Sequence, residues 1–378
     1  VAQWSINSYT ITFNSNGGSA VSPITQNYGT TVTAPANPTK TGYTFTGWSP
    51  AVPGTMPANN TTCVAQWSAN TYQVTFNANT GSGSMTAQDI VFNTTEALSS
   101  NAFTKTGYTF AGWNTAANGS GTAYANGADF TMNVTGATLF AQWTANTYTV
   151  DYLGNGSDGG LTGDSSHTYD VAKNLTTNGY TRTGHSFLGW STSSSATAAD
   201  YTDGQSVTNL TATPGGVVTF YAVWAANSYT ITFNANGGTG GWSESRLYGS
   251  ALTAPTVTRT GYTFNGWTPS VPSTVPAADS TYTAQWTANT YTVTYNGNGS
   301  TGGSTANSAH TYDAAKALTT NGYTKTGHSF EGWATSSQGT VAYTDGQSVT
   351  NLSSAQGATV TLYAVWEALP ADYSAVTA

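Results

Sequence analysis

Few side chains in this sequence could do chemistry, and those that could lie at repeated positions. The four histidines form two matched pairs, His167 with His185 and His310 with His328. A metal site needs three or four ligands at defined spacing, and no acidic or cysteine cluster completes one beside them. A serine nucleophile would need a base and a sharp turn, and the Gly-x-Ser-x-Gly pattern does not occur. We therefore predict no metal site, no cofactor and no enzyme activity.

Carboxylates give a second set of candidates, and here the alternative to a structural role is calcium. Asp158 and Asp164 lie in a glycine-rich turn, and Asp203 and Asp345 begin matching Asp-Gly turns. Calcium needs several carboxylates that converge on one point, and the EF-hand spacing is absent. We interpret these residues as turn formers.

The remaining reactive groups are two lysines and a cysteine. Lys173 and Lys316 recur near Asn209 and Asn351, which leaves a buried Lys–Asn isopeptide bond open as an alternative. Cys63 is the one cysteine in the chain, so a disulfide scaffold is excluded. We expect its thiol to be a small buried hydrophobic group.

Composition excludes several classes of partner. Charged residues make up 6% of the 378 residues, and 8 Lys+Arg against 16 Asp+Glu give a net charge of −8. A nucleic-acid interface needs a basic face, which this chain cannot build. An anionic membrane surface is disfavoured for the same reason, and no apolar run reaches the roughly 18 residues of a membrane helix. The 12 Trp and 23 Tyr nevertheless provide enough apolar area for folded cores.

The elements that position all these side chains come from an internal repeat. Each unit ends in Ala-(Gln/Val)-Trp and carries Thr-(Lys/Arg)-Thr-Gly-(Tyr/His)-(Thr/Ser)-Phe-x-Gly-Trp near its middle. The tryptophans of the terminal signature are Trp4, Trp67, Trp143, Trp224, Trp286 and Trp366. Those of the central signature are Trp48, Trp113, Trp190, Trp267 and Trp333. The sequence therefore predicts five complete units.

These signatures define the boundaries of the units. We place the tail of a preceding repeat at 1–6, the five repeats at 7–69, 70–145, 146–226, 227–288 and 289–367, and a linker to a further module at 368–378. The first and fourth repeats are of a short type, and the second, third and fifth are of a long type. The third and fifth repeats are close twins in sequence.

The sequence of each unit predicts mainly β structure. In Tyr9-Thr10-Ile11-Thr12-Phe13 the alternation predicts a strand with Tyr9, Ile11 and Phe13 facing the core. Asn-Gly pairs such as Asn16-Gly17 predict hairpin turns, and Gly47 predicts a bulge before the signature tryptophan.

Only two segments, Asp170 to Thr177 and Asp313 to Thr320, resemble a short helix. We therefore expect at most one short helix in each unit. Joints of about three residues leave little freedom, which favours an elongated rod on the order of 150–200 Å long.

The order of these motifs resembles the Listeria–Bacteroides repeat, also called the internalin B B-repeat. The first and fourth units match it almost throughout, at 9–18 with 33–48 and at 229–238 with 253–267. The third and fifth depart from it by insertions and by His185 and His328 where the pattern has Tyr. The segment Ala371 to Val376 is similar to the start of FIVAR modules, another surface-protein repeat.

The resemblance implies a β-grasp-like unit without catalytic residues. It also implies an extracellular place in large bacterial surface proteins, attached to the cell wall or secreted. There such repeats serve as stalks and weak interaction modules. The chain is accordingly expected to be a stiff stalk or spacer of a surface adhesin, and the alternatives are a glycan- or protein-binding module and a self-assembling fibre or sheath subunit. The partners implied are host or bacterial surface glycans or proteins, or further copies of the chain.

Five basic residues share one slot of the central signature. We expect each aliphatic stem to cover an aromatic ring with its cation over the ring face, and a polyanion-binding ladder is the alternative. The five are Lys40, Lys105, Arg182, Arg259 and Lys325.

Trp242 is a tryptophan that belongs to neither signature. With Glu244 and Arg246 on the same strand face, it is the candidate binding residue. A contact between units is the alternative role for its ring.

Overall fold

The computed structural model describes residues 1–370, and all regular structure within them is β-strand. The mainly β class predicted from the sequence is therefore confirmed. Packing divides the described residues into two units. The first unit is made of Val1–Asn155, Leu161–Gly179 and Trp190–Ala222. The second is made of Gly156–Gly160, Tyr180–Gly189 and the chain from Val223 onward.

In the first unit, the first repeat forms a four-stranded sheet. Its strands are β1 (Ser8–Asn14), β2 (Ile24–Asn27), β3 (Tyr43–Ser49) and β4 (Thr61–Ala69). In the order β2-β1-β4-β3, the central strands β1 and β4 run parallel, and the edge strands pair antiparallel with them. Ile11 and Phe13 are buried and Thr12 is exposed, as the alternation predicted.

The second repeat forms a sheet of its own, with the same arrangement and one additional strand. Its strands are β5 (Thr71–Asn77), β6 (Gln88–Val91), β7 (Thr95–Ala97), β8 (Tyr108–Asn114), β9 (Ala123–Tyr124), β10 (Asp129–Thr131) and β11 (Ala137–Ala145). The main sheet has the order β6-β5-β11-β8-β9, in which β5 and β11 are parallel, and β7 pairs with β10.

The third repeat, through which the boundary between the two units passes, has the same central pair of parallel strands. Its strands are β12 (Thr147–Leu153), β13 (Gly159–Gly160), β14 (Ser165–Thr168), β15 (Lys173–Asn174), β16 (Tyr180–Thr181), β17 (His185–Ser191), β18 (Ser206–Val207) and β19 (Val217–Ala226). β14, β12 and β19 lie side by side, and β15 pairs with β18.

The second unit contains the fourth and fifth repeats. The fourth has β20 (Ser228–Asn234), β21 (Trp242–Leu247), β22 (Tyr262–Thr268) and β23 (Ser280–Ala288), in the order β21-β20-β23-β22. The fifth has β24 (Thr290–Asn296), β25 (Gly302–Gly303), β26 (Ser308–Thr311), β27 (Lys316–Ala317), β28 (Tyr323–Thr324), β29 (His328–Ala334), β30 (Ser348–Val349) and β31 (Thr359–Ala368). Its main sheet has the order β26-β24-β31-β29.

The prediction of short helices at Asp170 to Thr177 and at Asp313 to Thr320 is wrong. Both aspartates have a left-handed φ, 60° and 59°, and so turn the chain instead of starting a helix. The short strands β15 and β27 then pair with β18 and β30, and Leu175 follows as a buried core residue. Ladder hydrogen bonds and leucine burial thus override the helix propensity of Ala, Lys and Leu.

The Asn-Gly turns adopt the expected backbone but lie inside longer connections. Asn16 and Gly17 have φ of 47° and 81°, and the Gly18 N–H donates to the Ser15 carbonyl at 3.0 Å. Residues 15–23 connect the antiparallel strands β1 and β2, so the predicted hairpin turn is present, within a connection longer than a two-residue loop. The predicted bulge at Gly47 is confirmed, because the β3–β4 register shifts between Phe45 and Gly47.

Burial of the central indole differs between the two types of repeat. Trp113, Trp190 and Trp333 of the long repeats are 0% exposed, whereas the corresponding tryptophans of the short repeats are half-buried. The long repeats carry an extra segment that pairs beside the indole, as Trp113 with Tyr124 shows. The insertion therefore completes the core around the ring.

We expect Trp333→Ala to lower the free energy of unfolding of the fifth repeat by about 3–5 kcal/mol, because it removes a fully buried indole and leaves a cavity. Native-state hydrogen exchange at the Leu362 amide measures this loss. Trp4→Ala is the control, since Trp4 is 92% exposed and its removal should leave that exchange unchanged. A loss below about 1 kcal/mol would contradict the role given to the ring.

Two of the four histidines are buried in the twin repeats. The His167 Nε2 lies 2.8 Å from the Ser165 hydroxyl, its ring stacks on Tyr148, and its Nδ1 has no hydrogen-bond partner among the described residues. His310 has the same surroundings. Burial, and then the nearby lysine (Lys173 in the third repeat), lowers the pKa of each imidazole below its ordinary value.

We expect acid to destabilise the twin repeats. A folded state that keeps His167 and His310 neutral loses stability as the pH falls below about 6.5, where the unfolded chain takes up the protons. Urea unfolding at pH 7 and pH 5 should show this loss in the native chain and a smaller one in His167→Gln/His310→Gln. The matched variant His185→Gln/His328→Gln leaves the buried pair intact and should keep the loss. Equal losses in the native chain and the first variant would refute the assignment.

Candidate functional site

The signature residues meet where one repeat passes into the next. At each of these places a single residue separates the last strand of one repeat from the first strand of the next, fewer than the three expected from the sequence. That residue is always asparagine, and we call the four the joint asparagines: Asn70, Asn146, Asn227 and Asn289.

Each joint asparagine is hydrogen-bonded to both repeats through its backbone. The Asn70 N–H donates to the Gly42 carbonyl at 2.9 Å, and the Asn70 carbonyl accepts from the Phe92 N–H at 2.8 Å. Its side-chain Oδ1 accepts from the Thr44 hydroxyl at 2.5 Å. The same three bonds recur at the other three joint asparagines. The backbone at the joint is therefore satisfied without water.

An aromatic ring of the following repeat lies on a signature glycine of the preceding one. The four pairs are Phe92 on Gly42, Tyr169 on Gly107, Tyr248 on Gly184 and Tyr312 on Gly261. A Cβ on any of these glycines would lie 2.2–2.3 Å from the ring, and each glycine has a positive φ between 69° and 79°. The position thus requires glycine both for its backbone and for the close approach of the ring.

In the described part of the chain, one such glycine has no ring of a neighbouring repeat on it, and one such ring lies on no glycine. Gly327 has the same backbone, φ +71°, but it is exposed and nothing lies within 4 Å of a Cβ placed there. Tyr28 is the ring of the first repeat, and it is 57% exposed although its N–H still donates to the Asn7 carbonyl. The exposure of Gly327 and Tyr28 shows that the contact covers the surface of both the glycine and the ring at the four joints.

The five basic residues lie over turns of their own repeats. The Lys40 Nζ is 4.4 Å from the Tyr43 ring centroid and donates to the Asn16 carbonyl at 3.1 Å. Lys105 and Arg259 contact Tyr108 and Tyr262 in the same way. Arg182 and Lys325, which precede a histidine instead of tyrosine, lie beside the turn glycines Gly156 and Gly299. Each cation is therefore engaged within its repeat.

The tryptophans of the terminal signature bind the same turns from the other side. The Trp67 Nε1–H donates to the Ser15 carbonyl at 3.1 Å, and its ring packs on Gly18. Corresponding indole hydrogen bonds of 2.9 Å are made by Trp143, Trp286 and Trp366. The indole, the cation and the turn thereby fix the central signature strand against the last strand.

Trp242 lies at a strand end and packs within its own repeat. The Trp242 ring centroid is 4.7 Å from the Phe233 ring centroid. The Arg246 guanidinium lies 5.2 Å from the Trp242 ring centroid. Arg246 is also paired with Glu244. The half-buried indole thus packs within its own repeat, and both a binding role for the three residues and a contact between units stay predictions.

The other candidates are engaged in turns. Asp158 accepts from the Thr183 N–H at 2.7 Å, and hydrogen bonds from the Thr183 side chain and then from its backbone lower the pKa of the Asp158 carboxyl. The Lys173 Nζ donates to the Ser166 carbonyl at 2.7 Å, while the Asn209 amide donates to Asp170. Lys173 and Asn209 therefore have different partners, which does not favour the isopeptide alternative. No group of three His, Cys, Asp or Glu in the described part could hold a metal ion.

Sequence reasoning missed the rings that cover the glycines, although a weak signal exists. Phe92, Tyr169, Tyr248 and Tyr312 follow their joint asparagines by 21 to 23 residues and precede Asn, Asp or Gly. They lie outside both signatures, and their distance from the joint asparagine is not constant.

We expect Gly107→Ala to destabilise the joint more than Gly327→Ala does. Both substitutions place a side chain at positive φ, at a cost of about 1–2 kcal/mol. Only at Gly107 must the new methyl group also displace the Tyr169 ring, which adds about 1–3 kcal/mol. Calorimetry gives the two losses, and hydrogen exchange at the Asn146 amide locates the first. Equal losses would show that the ring contact contributes nothing.

The comparisons with known proteins agree with the repeat organisation. The model of the Listeria-Bacteroides repeat domain matches five segments, residues 9–66, 72–142, 148–223, 229–290 and 291–365. These segments cover most of the chain.

Among curated proteins, a "Putative Gly-rich membrane protein" of Evansella cellulosilytica is 30% identical over 325 residues, 79% of this chain and 36% of that protein. A "Putative membrane protein" of the same organism is 31% identical over 249 residues, 61% of this chain and 35% of that protein. Internalin H of Listeria monocytogenes is 39% identical over 126 residues, 30% of this chain and 21% of that protein. The chain spans at most about a third of the length of these relatives.

Within residues 1–370 there is no helix of the length and apolarity that a bilayer crossing requires. The two signatures, the joints between them and the five matched segments lead to one assignment. The chain belongs to the Listeria-Bacteroides repeat domain family.

Proposed function

We propose that this chain is a non-catalytic extracellular repeat array that acts as a stiff spacer in a bacterial surface adhesin. The observation that carries the proposal is the joint. One asparagine, bonded to both neighbours, and one ring seated on a glycine leave almost no free backbone between repeats. Flexible linkers need several unconstrained residues, and these joints have none.

The recurrence of the same joint contacts along the chain also supports the spacer function. In repeat proteins each unit contacts its neighbours only, and stiffness depends on the interfaces between them. The joints at Asn70, Asn146, Asn227 and Asn289 all have the bonded asparagine and the ring on glycine, so each interface contributes to stiffness. The reactive side chains are used inside repeats, which supports a mechanical role over a chemical one.

The proposed location rests on composition and relatives. Thr, Ser, Asn and Gly provide the polar surface in place of charge, and 6% of residues are charged. Two relatives are named as membrane proteins and a third is Internalin H. A spacer between a cell and a distal adhesive domain fits this setting.

We expect small-angle scattering of the chain to give a radius of gyration above about 40 Å, as a rod of 150–200 Å requires; a compact globule of this length has about 21 Å. Inserting Gly-Gly-Ser after Asn70 and after Asn146 should lower the value, since it frees two joints. Inserting it in the exposed turn at residue 163 is the control and should not. A compact value for the native chain would refute the proposal. A value that rises with concentration would favour the fibre alternative.

A further inference from the structure

The four joints are of two kinds. All share the bonded asparagine and the ring on glycine, but two of them carry additional polar contacts between the repeats. The two are the joints at Asn146 and Asn289, where the following repeat is one of the twins. In the described part of the chain, the joints at Asn70 and Asn227 have no such additional polar contact.

A carboxylate makes the first additional contact. The Tyr108 hydroxyl of the second repeat donates to Asp170 Oδ2 of the third at 2.9 Å. Asp170 is itself held by Asn209, whose amide donates to Oδ1 at 2.7 Å and whose Oδ1 accepts from the Asp170 N–H at 2.6 Å. A hydrogen bond to a carboxylate is about twice as strong as one between neutral groups.

The fourth and fifth repeats repeat this arrangement. Tyr262 donates to Asp313 Oδ2 at 2.8 Å, and Asn351 holds Asp313 by the same two bonds, of 2.7 and 2.6 Å. We call each set of three side chains, Tyr108–Asp170–Asn209 and Tyr262–Asp313–Asn351, a latch.

The joint asparagine supplies the second additional contact. At both latched joints its side-chain amide also donates to a carbonyl of the following repeat, Ala212 from Asn146 at 2.8 Å and Ser354 from Asn289 at 2.7 Å. Both asparagines are buried, whereas Asn70 and Asn227 are half-buried. The insertion of the twin repeats therefore closes over the joint.

The corresponding positions of the other joints have no carboxylate. At the Asn70 joint, Phe92 is followed by Asn93, whose N–H donates to the Met132 carbonyl of its own repeat. Tyr43 is the counterpart of Tyr108, and its hydroxyl has no hydrogen bond in the described structure. At the Asn227 joint the residue after the ring is Gly249, which has no side chain to form a latch.

We propose that the latches lock the repeats at Asn146 and Asn289, so that bending of the spacer occurs at the unlatched joints. Any bend at a latched joint must separate a tyrosine hydroxyl from a carboxylate and an asparagine amide from a carbonyl. A bend at Asn70 needs neither. The inference rests on the proposed spacer function, since it assigns where that spacer is stiff.

The latch is closed over the ordinary pH range. Hydrogen bonds from Asn209 and Tyr108 lower the pKa of the Asp170 carboxyl, and Asp313 is affected in the same way by Asn351 and Tyr262. The charged groups nearest the carboxylates are Lys105 and Arg259, which also favour the ionised form. The stabilisation is thus present above about pH 4 and is lost in stronger acid, as the carboxylates take up protons.

Distances between spin labels test the inference in the full chain. Pairs of labels are placed at exposed loop sites of the first and second, second and third, and fourth and fifth repeats, and electron–electron double resonance gives the width of each distance distribution. Cys63 is fully buried and does not compete for the label. We expect narrow distributions across Asn146 and Asn289 and a broader one across Asn70.

The decisive variant is Tyr262→Phe, which removes the hydroxyl and keeps the ring on which Arg259 and Tyr312 pack. We expect it to broaden the distribution across Asn289 towards the width seen across Asn70, without reaching it, because the Asn289 amide still donates to the Ser354 carbonyl. Tyr43→Phe is the matched control and should change no width. Thermal unfolding verifies that both variants fold.

Equal widths at the three joints, or no effect of Tyr262→Phe in a folded chain, would overturn the latch. Scattering separates this failure from that of the spacer itself. An extended particle with equal widths removes the latch alone, whereas a compact particle removes the spacer function.

Discussion

The structure depends on a close approach between a ring and a glycine. At each joint the glycine is already in the left-handed backbone region, so its carbonyl faces the joint asparagine while the side lacking a Cβ faces the next repeat. Two constraints are met by one residue, because an L-residue would be strained and would also collide with the ring. The backbone N–H of the residue that carries the ring then donates to the asparagine carbonyl. This contact therefore constrains how two adjacent repeats meet at a joint.

Inside a repeat, side chains of the two signatures hold neighbouring strands together through one turn. The indole of Trp67 and the cation of Lys40 both bond carbonyls of the turn at residues 15–18, and the Asn16 amide reaches the Ala65 carbonyl. The turn therefore ties the first strand, the signature strand and the last strand together. Repeats of this size have little core to spare, so such polar ties supplement the buried central indole.

The sequence predicts what is periodic and local. The alternation of β1, the bulge at Gly47 and the burial of Trp113 follow from residue types at fixed positions. It predicts poorly what depends on distant partners. Lys173 to Leu175 has helical composition but pairs with β18 more than thirty residues away. Phe92 reads as an ordinary strand end, and only the fold brings it over Gly42.

Several of the few charged residues have structural roles in these contacts. Lys40, Lys105 and Arg259 lie over turns and rings, and Asp170 and Asp313 bond across joints. These five charged groups are thus placed where a directional contact fixes one element against another, and Thr, Ser, Asn and Gly provide much of the polar surface. In the proposed spacer these few charges would contribute to stiffness, since the cations act at turns and the two carboxylates act at the joints of Asn146 and Asn289.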